Sequence, residues 1–428
     1  MKLAICCLVL MLTLRACVAV SASLKLNPKF QYLGVGYNGI ENRYLVIFRT
    51  GFTKVGADMH FNKLKSTMNI QQGHIPKDNP CASGTIISEL IPHDMIYIIS
   101  CPSEQILRLL LNDNDITRIV QDTVVSTQQC SNINAYTLPN PSSLYWNLDR
   151  INQENPNPVD GFYSVLGNGM GVDLYVIDSG IRSQHDEFTN RIDSAGYNFV
   201  DGNSSPEDDM PSGHGTLVSG IAAGTNTGVC KMVTIIPFKA IGADGTGSAG
   251  DLIAAIRKAI DLKATRNRPA VINISLGTVP YAQLDVAVKS AVKSGIFVSV
   301  GAGNFKKLWA KQSPARAPKA FTVASVGKDD NLSWFSNFGA GVDIAAPGED
   351  IYSASNACDN CYTNGYGTSY AAPQVAGVAA CYLSVYPTAT VPQVEAYLRN
   401  GSWKDKIGNI GGGVNPGTPN RILRSNKC

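Results

Sequence analysis

The sequence predicts an α/β fold, a doubly wound and mostly parallel sheet with flanking helices, preceded by a small α+β domain. Three observations carry this. Apolar runs at 174–177, 234–238, 271–274, 296–300 and 322–326 offer no polar face, so their sheet must be covered on both sides. Helical stretches separate these runs, the order of a parallel sheet closed by crossovers. The first 129 residues follow a different order: strand, helix, strand, helix, strand.

Taken in chain order, Tyr44-Leu45-Val46-Ile47-Phe48 is a strand by its β-rich composition. A helix is predicted over 58–66, and Met95-Ile96-Tyr97-Ile98-Ile99 is a second strand. Pro102-Ser103-Glu104 opens a helix whose apolar Ile106, Leu107, Leu110 and Leu111 recur at helical spacing. Further strand follows over 116–125. Beyond residue 130, helices are predicted at 251–263, at 284–294 and after Ser369. Ligands of such sheets bind beyond the carboxyl ends of the strands. Asp178 and Asn304 fall at two such ends, on glycine turns.

The chain has 428 residues, 44% of them hydrophobic and 16% charged, which suits a large buried core. A net charge of +3 with no run of Lys or Arg argues against nucleic acid or an anionic membrane as main partner. Lys2, the apolar stretch 3–14 and the small residues of Cys17-Val18-Ala19 or Val20-Ser21-Ala22 read as an export signal, interrupted by Arg15. No later segment is long and apolar enough to cross a bilayer. The expected organisation is a signal over 1–22, a small domain over 23–129 and a main domain over 130–428, in a secreted protein. Eight of the eleven cysteines lie outside the signal, an even number that favours disulfides of open connectivity. Cys358-Asp359-Asn360-Cys361 lacks a second pair at ligand spacing, so bridging is expected there rather than zinc. Glycosylation sequons occur at Asn203, Asn273, Asn331 and Asn400, of which Asn273 sits in an apolar run and is expected to escape modification.

Three glycine-flanked segments carry the chemistry: Val176-Ile177-Asp178-Ser179-Gly180, Gly213-His214-Gly215-Thr216 and Gly367-Thr368-Ser369-Tyr370-Ala371-Ala372-Pro373. They supply a carboxylate, an imidazole and a hydroxyl, the groups that turn serine into a nucleophile. Ser369 is expected where a glycine turn enters a helix beginning near Ala371, with Pro373 in the first turn, where a missing amide hydrogen costs nothing. His185 reads as a solvated or locally bonded imidazole, and Asp208 with Asp209 as a solvated loop.

With these segments in the order Asp, His, Ser, and with Asn273-Ile274-Ser275-Leu276-Gly277, Gly301-Ala302-Gly303-Asn304, Phe335-Ser336-Asn337-Phe338-Gly339 and Asp343-Ile344-Ala345-Ala346-Pro347-Gly348, the chain resembles the subtilisin-like serine proteases, and within them the secreted proteinase K-like group. The likeness covers nearly all of 145–428. It implies a secreted endopeptidase that cuts polypeptides through an acyl-enzyme, with Asp178, His214 and Ser369 as triad and Asn304 as oxyanion donor. It implies pocket walls from Ser275, Leu276 and Gly277 and from Ala302, Gly303 and Asn304. A strand-like substrate would lie along Gly245, Thr246 and Gly247. The small and apolar walls favour a neutral side chain before the cut. More weakly, by pattern and position, the first domain resembles the family's inhibitory propeptide, with 123–129 running through the cleft and self-cleavage between about 126 and 134. A monomer needing no cofactor is expected. Calcium is frequent in the family, but Asp329 and Asp330 alone make no ligand set.

Three residues depart from the family pattern: Tyr370 after the serine, Leu217 after Gly-His-Gly-Thr, and Gln374 after Pro373. Tyr370, bulky beside the nucleophile, supports the rival reading of a catalytically silent subtilisin-like binding protein. An esterase is a second rival.

Overall fold

The chain folds as two units, Met1–Gln129 and Cys130–Cys428. The structure is a computed structural model that describes residues 22–31, 39–68, 71–72, 85–87, 96–123, 132–155, 159–410 and 415–427. In the first unit β1 (Gly39–Phe48) pairs antiparallel with both β2 (Ile96–Ser100) and β3 (Ile116–Thr123). Helices α1 (Lys54–Met68) and α2 (Glu104–Asn112) complete the alternation. Tyr44, Val46 and Phe48 alternate onto one face of β1 and join Phe61, Leu64, Ile106, Leu107, Leu110 and Leu111 in one core. Ser103 caps α2, its Oγ accepting from Ile106 N at 3.3 Å. Helix α1 starts earlier than the expected 58–66, because the Thr53 hydroxyl accepts from Gly56 N at 3.2 Å. The expected signal, apart from Ala22, lies outside the described residues, as do 124–131.

The second unit is organised by a sheet of nine described strands. Its centre comprises β4 (Asp173–Asp178), β5 (Thr234–Lys239), β6 (Ala270–Ile274), β7 (Ile296–Gly301), β8 (Phe321–Val326) and β9 (Ile344–Pro347). They lie in the order β5, β4, β6, β7, β8, β9, all parallel. Around them pack α3 (His214–Ala223), α4 (Ala249–Arg266), α5 (Ala282–Lys293) and α6 (Thr368–Val385). Every residue of β4, β6 and β8 is buried, as expected of strands covered on both faces. Asn273 is among them, its amide donating to Ser275 Oγ at 2.9 Å, which leaves no room for a glycan.

Adjacent parallel strands place their carboxyl ends side by side. Asp178 ends β4, Ser275 follows β6, and Asn304 follows β7 three residues on. Helices α3 and α6 point their amino ends at the same edge, bringing His214 and Ser369. A disulfide between Cys230 and Cys381 ties the loop after α3 to α6, and a second joins Cys358 to Cys361. The loop after α3 also closes around a buried ammonium. Lys231 Nζ donates to the carbonyls of Thr225, Asn226 and Gly228 at 2.9, 3.1 and 3.0 Å. Burial pulls its pKa down to about 8.

Candidate active site

His214 opens α3 behind Gly213, whose φ of 59° is a left-handed conformation that glycine adopts without cost. The imidazole Nδ1–H donates to Asp178 Oδ1 at 2.7 Å, and Ser179 N donates to the same oxygen at 2.8 Å. Asp178 is buried, and its Oδ2 has no hydrogen-bond partner among the described residues. Compensation of that carboxylate therefore falls on the imidazole and on Ser179 N. Burial is the largest single influence on His214 and pulls its pKa down. The Asp178 charge and hydrogen bond, with Asp208 behind them, outweigh burial and leave it above 6.5.

Asp208 is not a solvated loop residue. Its carboxylate is buried, accepting from Ser179 Oγ at 2.9 Å and from Thr216 N and Oγ1 at 2.9 and 2.6 Å. It thereby locks the Asp178 turn to the start of α3. Asp209 pairs with the buried Lys239 at 2.6 Å. His185 is buried as well and locally bonded, Nδ1 accepting from Glu187 N at 3.1 Å and Nε2–H donating to the Cys361 carbonyl at 2.8 Å.

Helix α6 begins at Thr368, three residues earlier than expected, so Pro373 lies inside it rather than in its first turn. The reason is a cap from elsewhere in the chain. Asn304 Oδ1 accepts from Thr368 N at 2.8 Å and from Thr368 Oγ1 at 2.9 Å, satisfying an orphan helix amide. Pro373 cannot donate to the carbonyl four residues back, that of Ser369. Ser275 Oγ donates to that carbonyl instead, at 2.8 Å. In return Ser369 Oγ donates to the Ser275 carbonyl at 2.9 Å. No hydrogen bond joins Ser369 to His214 among the described residues.

With Asn304 Oδ1 occupied, its Nδ2 has no acceptor among the described residues. Gly367 has φ 152°, and a Cβ built there would stand 3.1 Å from Asn304 Nδ2 and 3.6 Å from Ser369 N. Ser369 N–H has no acceptor among the described residues. Two free donors thus face one space that glycine keeps open, at the positive end of α6.

The remaining expected residues group around this centre. Ser275 is buried and Leu276 half-buried, the latter packing on the core beneath β6. Ala302 is buried, and Gly303 N donates to Thr368 Oγ1 at 3.0 Å. Gly245, Thr246 and Gly247 lie in an exposed loop that spends part of its backbone on itself. Gly245 N donates to Gly242 O at 3.0 Å, Gly242 N to Thr246 O at 2.8 Å, and Thr246 N to Asp244 Oδ1 at 2.9 Å. That leaves the Gly245 carbonyl and both groups of Gly247 without partners among the described residues.

Two of the departures belong together. The Tyr370 ring lies 5.6 Å from His214 and packs on the cluster of Trp146, Leu217, Ile221 and Ile351. Leucine at 217 supplies part of the apolar seat for the larger side chain at 370. Burial, and then the Asp178 charge, push the Tyr370 phenol up to about 12, so it stays neutral. Gln374 is buried and donates to the carbonyls of Pro347 and Tyr370. Of the two carboxylates considered for calcium, Asp330 forms a two-pronged pair with Arg150 and Asp329 accepts from Asn331. Among the described residues no group of three or more His, Cys, Asp or Glu converges on one point.

The profile described as "Subtilase family" matches residues 169–421. An extracellular serine proteinase of Thermus sp. is 39% identical over 67% of this chain and 68% of its own length. The alkaline serine exoprotease A of Vibrio alginolyticus is 34% identical over 88% of this chain and 67% of its own. Subtilisin-like protease 3 of Trichophyton equinum is 33% identical over 91% of this chain and 92% of its own. In solved structures, a cold-adapted subtilisin-like serine proteinase superposes with a TM-score of 0.61 at 38% identity, covering 65% of this chain and 97% of that one.

Proposed function

Taking as premise that the chain belongs to the subtilase family, we propose that it is a serine endopeptidase using Asp178, His214 and Ser369, made as an exported, self-processing zymogen. The observation that carries the reading is the 2.7 Å Asp178–His214 bond beside two free donors and a serine at the start of a buried helix. His214 would take the Ser369 proton as the oxygen attacks the peptide carbonyl, then return it to the leaving amine. Asp178 fixes the tautomer that leaves Nε2 free and stabilises the imidazolium. Asn304 Nδ2 and Ser369 N–H would hold the oxyanion. Residues 23–129 would serve as intramolecular inhibitor, and the mature enzyme would act as a monomer on polypeptides. Its extracellular relatives support export.

Labelling by a fluorophosphonate tests the reading. The wild-type chain should label and Ser369→Ala should not. A wild-type chain that stays unlabelled would favour the silent binding protein. Ser369→Ala should also remain uncut near residue 130, and a normally processed variant would mean that another protease does the cutting.

A further inference from the structure

The side chain of Gln312 lies across the two walls next to Ser369. A Cβ on Gly277 would collide with Gln312 Nε2, and one on Gly303 (φ 103°) would collide with Gln312 Oε1. Asn337 Nδ2, which donates to the Ala302 carbonyl at 2.8 Å, also reaches Gln312 Oε1 at 3.5 Å. The oxygen of the carboxamide is therefore turned toward a donor. Its nitrogen has no acceptor among the described residues.

Gly277 and Gln312 also line a cavity of about 640 Å³. Val279, Phe305 and Leu308 give it apolar surface, and Lys307 and Lys311 stand in its lining. No carboxylate lines it, and neither lysine forms an ion pair among the described residues. Two lysines, Lys307 with its ammonium 5.9 Å from the Phe305 ring, and an unspent N–H thus border a space that starts at the pocket wall.

We propose that this pocket selects glutamate on the acyl side of the scissile bond. The methylenes lie against the apolar surface, Gln312 Nε2 donates to the carboxylate, and Lys307 and Lys311 supply the positive field. Charge-assisted bonds of this kind are about twice as strong as neutral ones. The same surroundings repel a lysine or arginine. It departs from the expectation of a neutral side chain, which rested on the small and apolar walls alone. The inference rests on the serine-protease reading.

The test uses peptides of one sequence that differ only in the residue before the cut: Glu, Gln, Leu, Phe or Lys. The expected kcat/KM for Glu exceeds that for Gln about tenfold at low salt, and the ratio shrinks as ionic strength rises. In K307Q/K311Q the Glu to Gln ratio should collapse toward one, and Q312A should weaken both relative to Leu. Turnover of Leu or Phe peptides with a Glu to Gln ratio of one or less overturns the inference and leaves the protease reading standing. So does a ratio that K307Q/K311Q leaves unchanged. If no peptide is cut, both fall.

Discussion

Asp178 and His214 meet at 2.7 Å, whereas Ser369 spends its hydroxyl on the carbonyl of Ser275. The first pair is fixed from several directions at once. Asp208 bolts their two turns together, Ser179 N holds the carboxylate, and Gly213 sets the entry to α3. The second half is fixed in its backbone only. Ser275 Oγ holds the Ser369 carbonyl and Asn304 holds Thr368, so the Ser369 hydroxyl can change partners by rotation about one side-chain bond. Charge must be oriented in advance, because reorienting it during reaction is costly. A neutral hydroxyl can wait in a second rotamer.

Substitutions that break the prearranged half should cost most. Asp178→Asn should lower kcat about 10⁴-fold, the size seen when a triad aspartate of the trypsin type is changed. It should also move the acid limb of the rate profile. In the proposed mechanism His214 must be neutral to accept a proton, so wild-type activity should fall as pH drops through a midpoint above 6.5. Removing Asp178 leaves burial as the main influence, so the midpoint should shift to lower pH. An unmoved limb would mean that another group sets it.

Asn304→Ala should lower kcat by about 10²–10³ with the fold intact, a magnitude borrowed from subtilisin, a relative. Gly367→Ala obstructs the same space with a methyl group, so the double variant should be little worse than the slower single one. Fully multiplied effects in kinetics of the purified variants would place Gly367 outside the oxyanion site.

Ser275→Ala tests whether the second half is held by its backbone. Without the hydroxyl the Ser369 carbonyl has no donor, and about 1–3 kcal/mol of stability should go, measured by urea unfolding. The loss in kcat should stay near tenfold or below, far short of that from Asp178→Asn. Lys231→Met, remote from both halves, should lower the melting temperature through the loss of three carbonyl partners and leave kcat per labelled serine unchanged.

The sequence was most legible where function forces rare residues into short segments. Glycines on either side of His214 and before Ser369, and apolar runs ending at Asp178 and ahead of Asn304, needed no long-range knowledge. What could not be read depends on contacts between distant stretches. The start of α6 at Thr368 needs Asn304, 64 positions away, as its cap. The burial of Asp208 needs Ser179, and nothing in a polar, acidic local sequence distinguishes it from a solvated turn. Gln312 meets the two expected walls at Gly277 and Gly303, and nothing in the local sequence marks residue 312 as their partner. Tyr370 looked obstructive in isolation, and only its shared seat with Leu217 shows it packed on the core.

The ammonium enclosed by Thr225, Asn226 and Gly228 is covalently tethered to the main chain. A free cation in such a cage would come and go with its concentration outside, and a chelator would strip it. A lysine cannot be diluted away. The segment linking the histidine helix to the next strand should therefore keep its shape in chelating or ion-poor surroundings.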